Sequence, residues 1–163
     1  MNIFAVNTCP RVSAEQLCDK HVVKMILETG QILSTVHRRY GNEDERLYKS
    51  THAKHPSTLW AGDCQINYDW LFEHFTALND EYWFRYGKDH LTYKKLNDVV
   101  FRPPKGMKVG KFSLPTPAMP DECKIVKADG SYDVVESYRK YYREHKKHIA
   151  KWTKRDIPSW FLS

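Results

Sequence analysis

The chain has 163 residues, 41% hydrophobic and 28% charged, which is enough for one domain with a proper core. No apolar run approaches a membrane span. "MNIFAVNTCP" has no basic region ahead of its short apolar run, so no signal peptide is expected. Lys and Arg number 26 against 20 acids, a formal charge of +6, and this balance favours a polyanionic partner. Ten Tyr, seven Phe and five Trp suit both core filling and stacking on bases. Cys9, Cys18, Cys64 and Cys123 form no CxxC pair and match no zinc module, so they are read as reduced thiols of a cytoplasmic protein.

In chain order, "NIFAV" reads as a short extended segment closed by the turn "NTCP". Ser13, with Gln16 as its capping-box partner, is expected to start a helix running to about Arg39. Residues 41–56 form a polar loop, and Pro56 and Ser57 restart helical structure. A long helical stretch follows, with Trp60, Ile66, Trp70, Leu71, Phe75, Leu78 and Tyr82 at helical spacing and Gly87 as its stop. "DHLTYKKLNDVV" predicts a third, shorter helix. Residues 101–130 carry most of the prolines and are expected to wrap a surface without regular structure. A last, basic helix is predicted from about Tyr132 to Trp152, and the tail "IPSWFLS" to dock back. The expected fold is mainly α. It is a single compact domain over residues 1–163, with three to four helices, a short N-terminal extended segment and a long Pro-rich irregular segment.

Three constellations carry chemistry. His21, Lys24, Glu28 and Gln31 follow i, i+3, i+7, i+10, which sets them on one helical stripe that Thr35 extends. Val22, Met25 and Leu33 flank it on one side, and Val23, Ile26, Leu27 and Gly30 on the other. Both flanks are expected to pack, leaving the stripe as a cleft floor of the kind that hosts acid–base chemistry. The plain alternative is a solvated Lys24–Glu28 pair, worth about 0.2–0.5 kcal/mol. His52, Lys54, His55 and Ser57 surround a helix start, where free N–H groups attract anions; a helix cap with loop histidines is the bland reading. Arg139, Lys140, Arg143, Lys146, Lys147 and Lys151 alternate with Tyr138, Tyr141, Tyr142 and Trp152, as expected of a nucleic-acid-binding helix, against a merely solvated lysine face. His145 and His148 lack a partner for a metal site, and no GxSxG elbow is present, so no metal and no triad are expected.

These residues resemble the phage pyrimidine-dimer DNA glycosylase (endonuclease V) family. Leu17, Asp19, His21 and Glu28 match its first-helix pattern. Pro56 followed by Tyr68, Asp69 and Leu71 matches its second helix, and Pro158, Trp160 and Phe161 its terminal element. The resemblance implies a helical DNA-repair fold without metal or other cofactor. An amine attacks C1′ of a damaged nucleotide and Glu28 assists strand scission by β-elimination. The family's nucleophile is a threonine α-amine freed by loss of the initiator methionine. Here Asn2 follows Met1 and is bulky enough to keep it in place, so the amine of Met1 or of Lys24 takes that part. Leu27 and Gln31 stand where the family has arginines. The expected catalytic residues are thus Glu28, His21, Lys24 and Met1, with Gln31, Asp19, Lys20, His55 and Ser57 around the substrate. The favoured function is DNA base excision with a lyase step. Rivals are a nucleotide- or modified-base enzyme in the same cleft, and a non-catalytic DNA-binding accessory protein. A monomer in the (host) cytoplasm, away from membranes, is expected.

Overall fold

The computed structural model describes residues 1–163 and is mainly helical. Seven α-helices follow in order: α1 (Pro10–Gln16), α2 (Asp19–Arg39), α3 (Pro56–Ala61), α4 (Gln65–Tyr86), α5 (Leu91–Val100), α6 (Val134–His145) and α7 (Ser159–Leu162). Ile125–Val126 (β1) and Tyr132–Asp133 (β2) pair antiparallel just ahead of α6. No helix is long and apolar enough to cross a membrane.

The helix count exceeds the sequence expectation because both long stretches break. Leu17 and Cys18 adopt extended backbone between α1 and α2. Ser13 does not cap there. It lies within α1, where its hydroxyl accepts from Val6 N–H and donates to the Phe4 carbonyl. Gln16 is no capping-box partner either: its backbone carbonyl accepts from Trp152 Nε1 and its side-chain oxygen from Trp160 Nε1. The returning tail therefore sits on the break and satisfies carbonyl groups that helix ends leave open.

The second break lies between α3 and α4, at Gly62–Cys64. Here the 107–110 segment crosses: Gln65 N–H donates to Lys108 O at 2.8 Å and its side chain to Met107 O at 2.7 Å. The crossing is close enough that a Cβ on Gly110 would stand 2.2 Å from Cys64 Cβ. Gly110 also has φ of +70°, so only glycine fits at this point. Gly87 ends α4 in the left-handed conformation, as expected.

The basic helix is shorter than predicted. Tyr132 and Asp133 are spent on the strand pair, and Asp133 caps α6 by accepting from Glu136 N–H. Lys146 then turns the chain into a single 3₁₀ turn, Lys147–Ile149. The irregular stretch from 101 holds one further 3₁₀ turn, Asp121–Cys123.

One apolar cluster links these pieces, with Ile3, Leu17, Met25, Ile26, Leu33, Leu71, Phe75, Leu78, Tyr138 and Tyr142 inside it. A buried ionic clasp closes the far side. Arg85, with no side-chain exposure, donates to Glu81 at 2.8 Å and to Asp19 at 2.9 Å. Arg155 adds two bonds of 2.9 Å to Glu81. The clasp therefore joins α2, α4 and the tail.

Candidate active site

The N-terminal segment runs through the interior, with Ile3, Ala5 and Val6 fully buried. Phe4 holds a positive φ of 58°, a conformation that costs a non-glycine residue energy and persists only where packing enforces it. Its ring stacks on His21 at 4.2 Å and lies among Tyr138, Tyr141 and Tyr142. This bend brings residues 1 and 2 over the middle of α2.

There, the Met1 amine stands 3.7 Å from Glu28 Oε2, and Asn2 N–H donates to the same oxygen at 3.0 Å. Lys24 Nζ is 3.7 Å from Glu28 Oε1. These groups line a cleft of about 180 Å³ with Phe4, His21, Met25, Tyr141 and Lys146. The Glu28 side chain is only 13% exposed, whereas Lys24 is 67% exposed. Lys24 thus lacks the dry surroundings that turn a lysine into a nucleophile. Met1 buries its side chain, which is 2% exposed, and so fixes its amine at the cleft beside Glu28.

His21 is buried, and its Nδ1 pairs with the Tyr142 hydroxyl, which also donates to Cys18 Sγ. Burial, then the nearby Lys146 and Lys24 charges, pull its pKa down to about 3. The ring is therefore neutral and forms a wall of the cleft. Its Nε2 has no protein partner, so one ring nitrogen remains for a substrate or water.

The stripe is real but narrower in use than expected. Thr35 and the far end of α2 turn away to the 51–55 loop, with Thr35 donating to Thr51 O. Gln31 is half-buried beyond the cleft. The Val22, Met25 and Leu33 flank is buried as predicted, and so are Ile26 and Gly30 of the other flank. Val23 and Leu27, at 37% and 41%, face solvent, which corrects the expectation of packing on both sides. The physical reason is that α3, α4 and α5 cover only one side of α2, and no element covers the Val23–Leu27 line.

The remaining predicted residues divide clearly. Asp19 is occupied: it accepts from Thr153 N–H and hydroxyl and from Arg85. Burial works against its charge, yet these bonds outweigh it and lower its pKa. Lys20 is exposed. His55 caps α3, its Nδ1 accepting from Ser57 N–H, which is the bland reading of that constellation. Burial lowers its pKa, the N-terminal amine and His52 add to this, and Glu28 opposes it, so α3 starts near the cleft. Ser57 is buried with a hydroxyl that has no partner.

On α6, three of the basic side chains serve the fold. Arg139 donates to Val6 O and Glu136, Arg143 to Trp160 O, and Lys140 to Glu122 O. Lys147 and Lys151 are exposed. Lys146 enters the cleft, with Nζ 4.8 Å above the Tyr141 ring and 5.8 Å above Phe4.

His145 meets Cys123 and Glu144, not His148, with donor atoms within 4.8 Å. The Cys123 thiol already donates to Glu144 at 3.6 Å, and burial and this carboxylate push its pKa up. That keeps the sulfur protonated and poor as a metal ligand.

Sequence reasoning missed Asn2 and Phe4 as members of the site and placed Tyr141 only on the basic helix. No pattern marks the first two, because each arrives through a long-range fold contact. No curated protein and no solved structure matches the chain. Residues 1–94, more than half of the chain, match the family described as pyrimidine dimer DNA glycosylase. With an N-terminal amine held at a glutamate on the first long helix, the protein belongs to the pyrimidine dimer DNA glycosylase family.

Proposed function

We propose that the protein excises a base from DNA and cuts the strand through a covalent imine, with the α-amine of Met1 as nucleophile and Glu28 as proton carrier. The observation that carries this reading is the N-terminal amine held 3.7 Å from Glu28, in a family of DNA glycosylases. Glu28 takes a proton from the ammonium, which frees the nitrogen lone pair. Nitrogen attacks C1′, the N–C1′ bond forms and the base leaves with the electrons of its glycosidic bond. The attacking nitrogen gives up a proton to the departing base, and Glu28 returns its own proton to O4′ as the sugar ring opens to an imine. Glu28, again a carboxylate, removes a C2′ proton, and the 3′-phosphate leaves with the C3′–O electrons. Water then hydrolyses the imine and returns the amine.

Lys146 and Lys24 supply positive charge at the mouth for the phosphates on either side, and Lys147 and Lys151 extend it along the duplex. Leu27 and Gln31 bring no charge where relatives of the resembled type carry arginines. Holding phosphate therefore passes to the lysines. His21 acts as a neutral wall and hydrogen-bonding group, not as an acid, because its pKa lies near 3.

The test is incubation with damaged duplexes and with a duplex carrying one abasic site, in the presence of borohydride. A stable protein–DNA adduct and strand cleavage are expected. Glu28→Gln is expected to lower cleavage about 10²–10⁴-fold, the usual range for a lost acid–base group. Absence of both adduct and cleavage on every substrate contradicts the proposal.

A further inference from the structure

An N-terminus is normally the loosest part of a chain. Here residue 2 is tied on every side. Asn2 Nδ2 donates to Ala118 O at 2.7 Å, and Asn2 Oδ1 accepts from the Tyr138 hydroxyl and from Ile3 N–H, both at 2.8 Å. Tyr138 is fully buried, and its hydroxyl also accepts from Ala118 N–H at 3.2 Å. Asn2, Tyr138 and Ala118 therefore close a triangle of hydrogen bonds. Two of its corners lie in the Pro-rich segment and on α6, both beyond the family-matched residues.

We infer that Asn2 is a positioning residue whose carboxamide, clasped by Tyr138 and Ala118, sets where the N-terminal amine stands over Glu28. This rests on the reading of that amine as the nucleophile. The amine is one residue from the clasp, so freeing the carboxamide frees the amine. A displacement of about 1 Å in a reacting group can cost about 10²-fold in rate. The left-handed Phe4 on the other side of the clasp would relax once it opens, since its conformation holds only under constraint. The irregular 113–120 stretch is, on this account, part of the machinery that aims the nucleophile.

Two variants test this. Asn2→Leu keeps the shape, removes every side-chain polar contact while leaving the main-chain N–H on Glu28, and is bulky enough to leave Met1 in place, which intact mass checks. Tyr138→Phe removes one hydroxyl and keeps the ring. Two rates are measured: borohydride trapping on a duplex with one abasic site, and reductive methylation of the N-terminal amine relative to the lysines. Asn2→Leu is expected to trap about 10–100-fold more slowly at unchanged duplex affinity, and to methylate severalfold faster at the N-terminus. Tyr138→Phe shifts both rates less, and the double variant is no worse than Asn2→Leu because both open one clasp. Asn2→Asp, which keeps the acceptor for Tyr138, recovers part of the rate. Wild-type trapping by Asn2→Leu, or a loss that only follows the unfolded fraction, overturns the inference. If the wild type traps nothing, the nucleophile reading fails, while unchanged methylation in the variants still overturns the clasp. Should Asn2→Leu not fold, Tyr138→Phe carries the same two readouts.

Discussion

The family-matched residues 1–94 and the remaining 69 residues (163 less 94) contribute unlike things to one cleft. The first part brings the Met1 amine and Glu28, proposed as the reacting pair, with Lys24 and the His21 wall beside them; Glu28, Lys24 and His21 share a single helix. The second part brings the groups that hold and cover them: Tyr138 and Ala118 on Asn2, Tyr142 on His21, and Tyr141 with Lys146 over the opening. A helix can present a stripe by spacing alone. Aiming a chain end and walling the cleft beside it takes contacts from more than a hundred residues away.

The strongest way to break this partnership is to unsettle the ionic clasp of the first part, on which Thr153 and Arg155 of the second part rest. Arg85→Met leaves Glu81 and Asp19 without their shared buried cation, and is expected to lower stability by about 3–5 kcal/mol, read as the urea midpoint. Removing Arg155, which is partly exposed and contacts only Glu81 in that clasp, should cost visibly less.

A second perturbation is pH. His21 and His74 are buried with pKa values near 3 and 4 in the fold, both lowered first of all by burial. In the unfolded chain they titrate near 6.5. Between these values the unfolded chain binds more protons, so stability is full above pH 6.5 and falls as pH drops, down to about 4 for His74 and about 3 for His21. By pH 5 the expected loss is on the order of 2 kcal/mol for each histidine. Urea unfolding at pH 7 and pH 5 measures it, and a flat profile would mean these rings are charged in the fold.

The smallest expected effect sharpens the role of the second part in binding. Lys146→Ala should weaken duplex binding about tenfold and reduce the slope of log K against log salt by roughly 0.9, the value for one phosphate contact. Arg143→Lys is expected to leave that slope unchanged, because Arg143 donates to the Trp160 carbonyl rather than pointing outward. Equal slopes for all three proteins would remove Lys146 from the interface.

Much of α2 was legible in the sequence, because periodicity fixes which side chains share a face and Glu28 falls on that face. Gly87 and the α5 helix were legible for the same local reasons. The breaks at Leu17–Cys18 and Gly62–Cys64 were not, since they are imposed by the Trp152 and Trp160 side chains and by the 107–110 crossing. Nor could composition separate the fold-bearing Arg139 and Arg143 from Lys146. All three sit in one basic run, and only the path of the N-terminus and the tail decides which carbonyls two of them reach. The N-terminal anchor was the least legible element. A left-handed phenylalanine and an asparagine clasped from residues 118 and 138 leave no trace in local pattern.

The proposed chemistry rests on the N-terminal amine over Glu28. It is tested most directly by trapping the protein on a duplex with one abasic site using borohydride, digesting the adduct and locating the modified residue by mass spectrometry. Modification at the Met1 α-amine is expected; modification at Lys24, or a cut strand with no trapped residue, would contradict the assignment of the nucleophile.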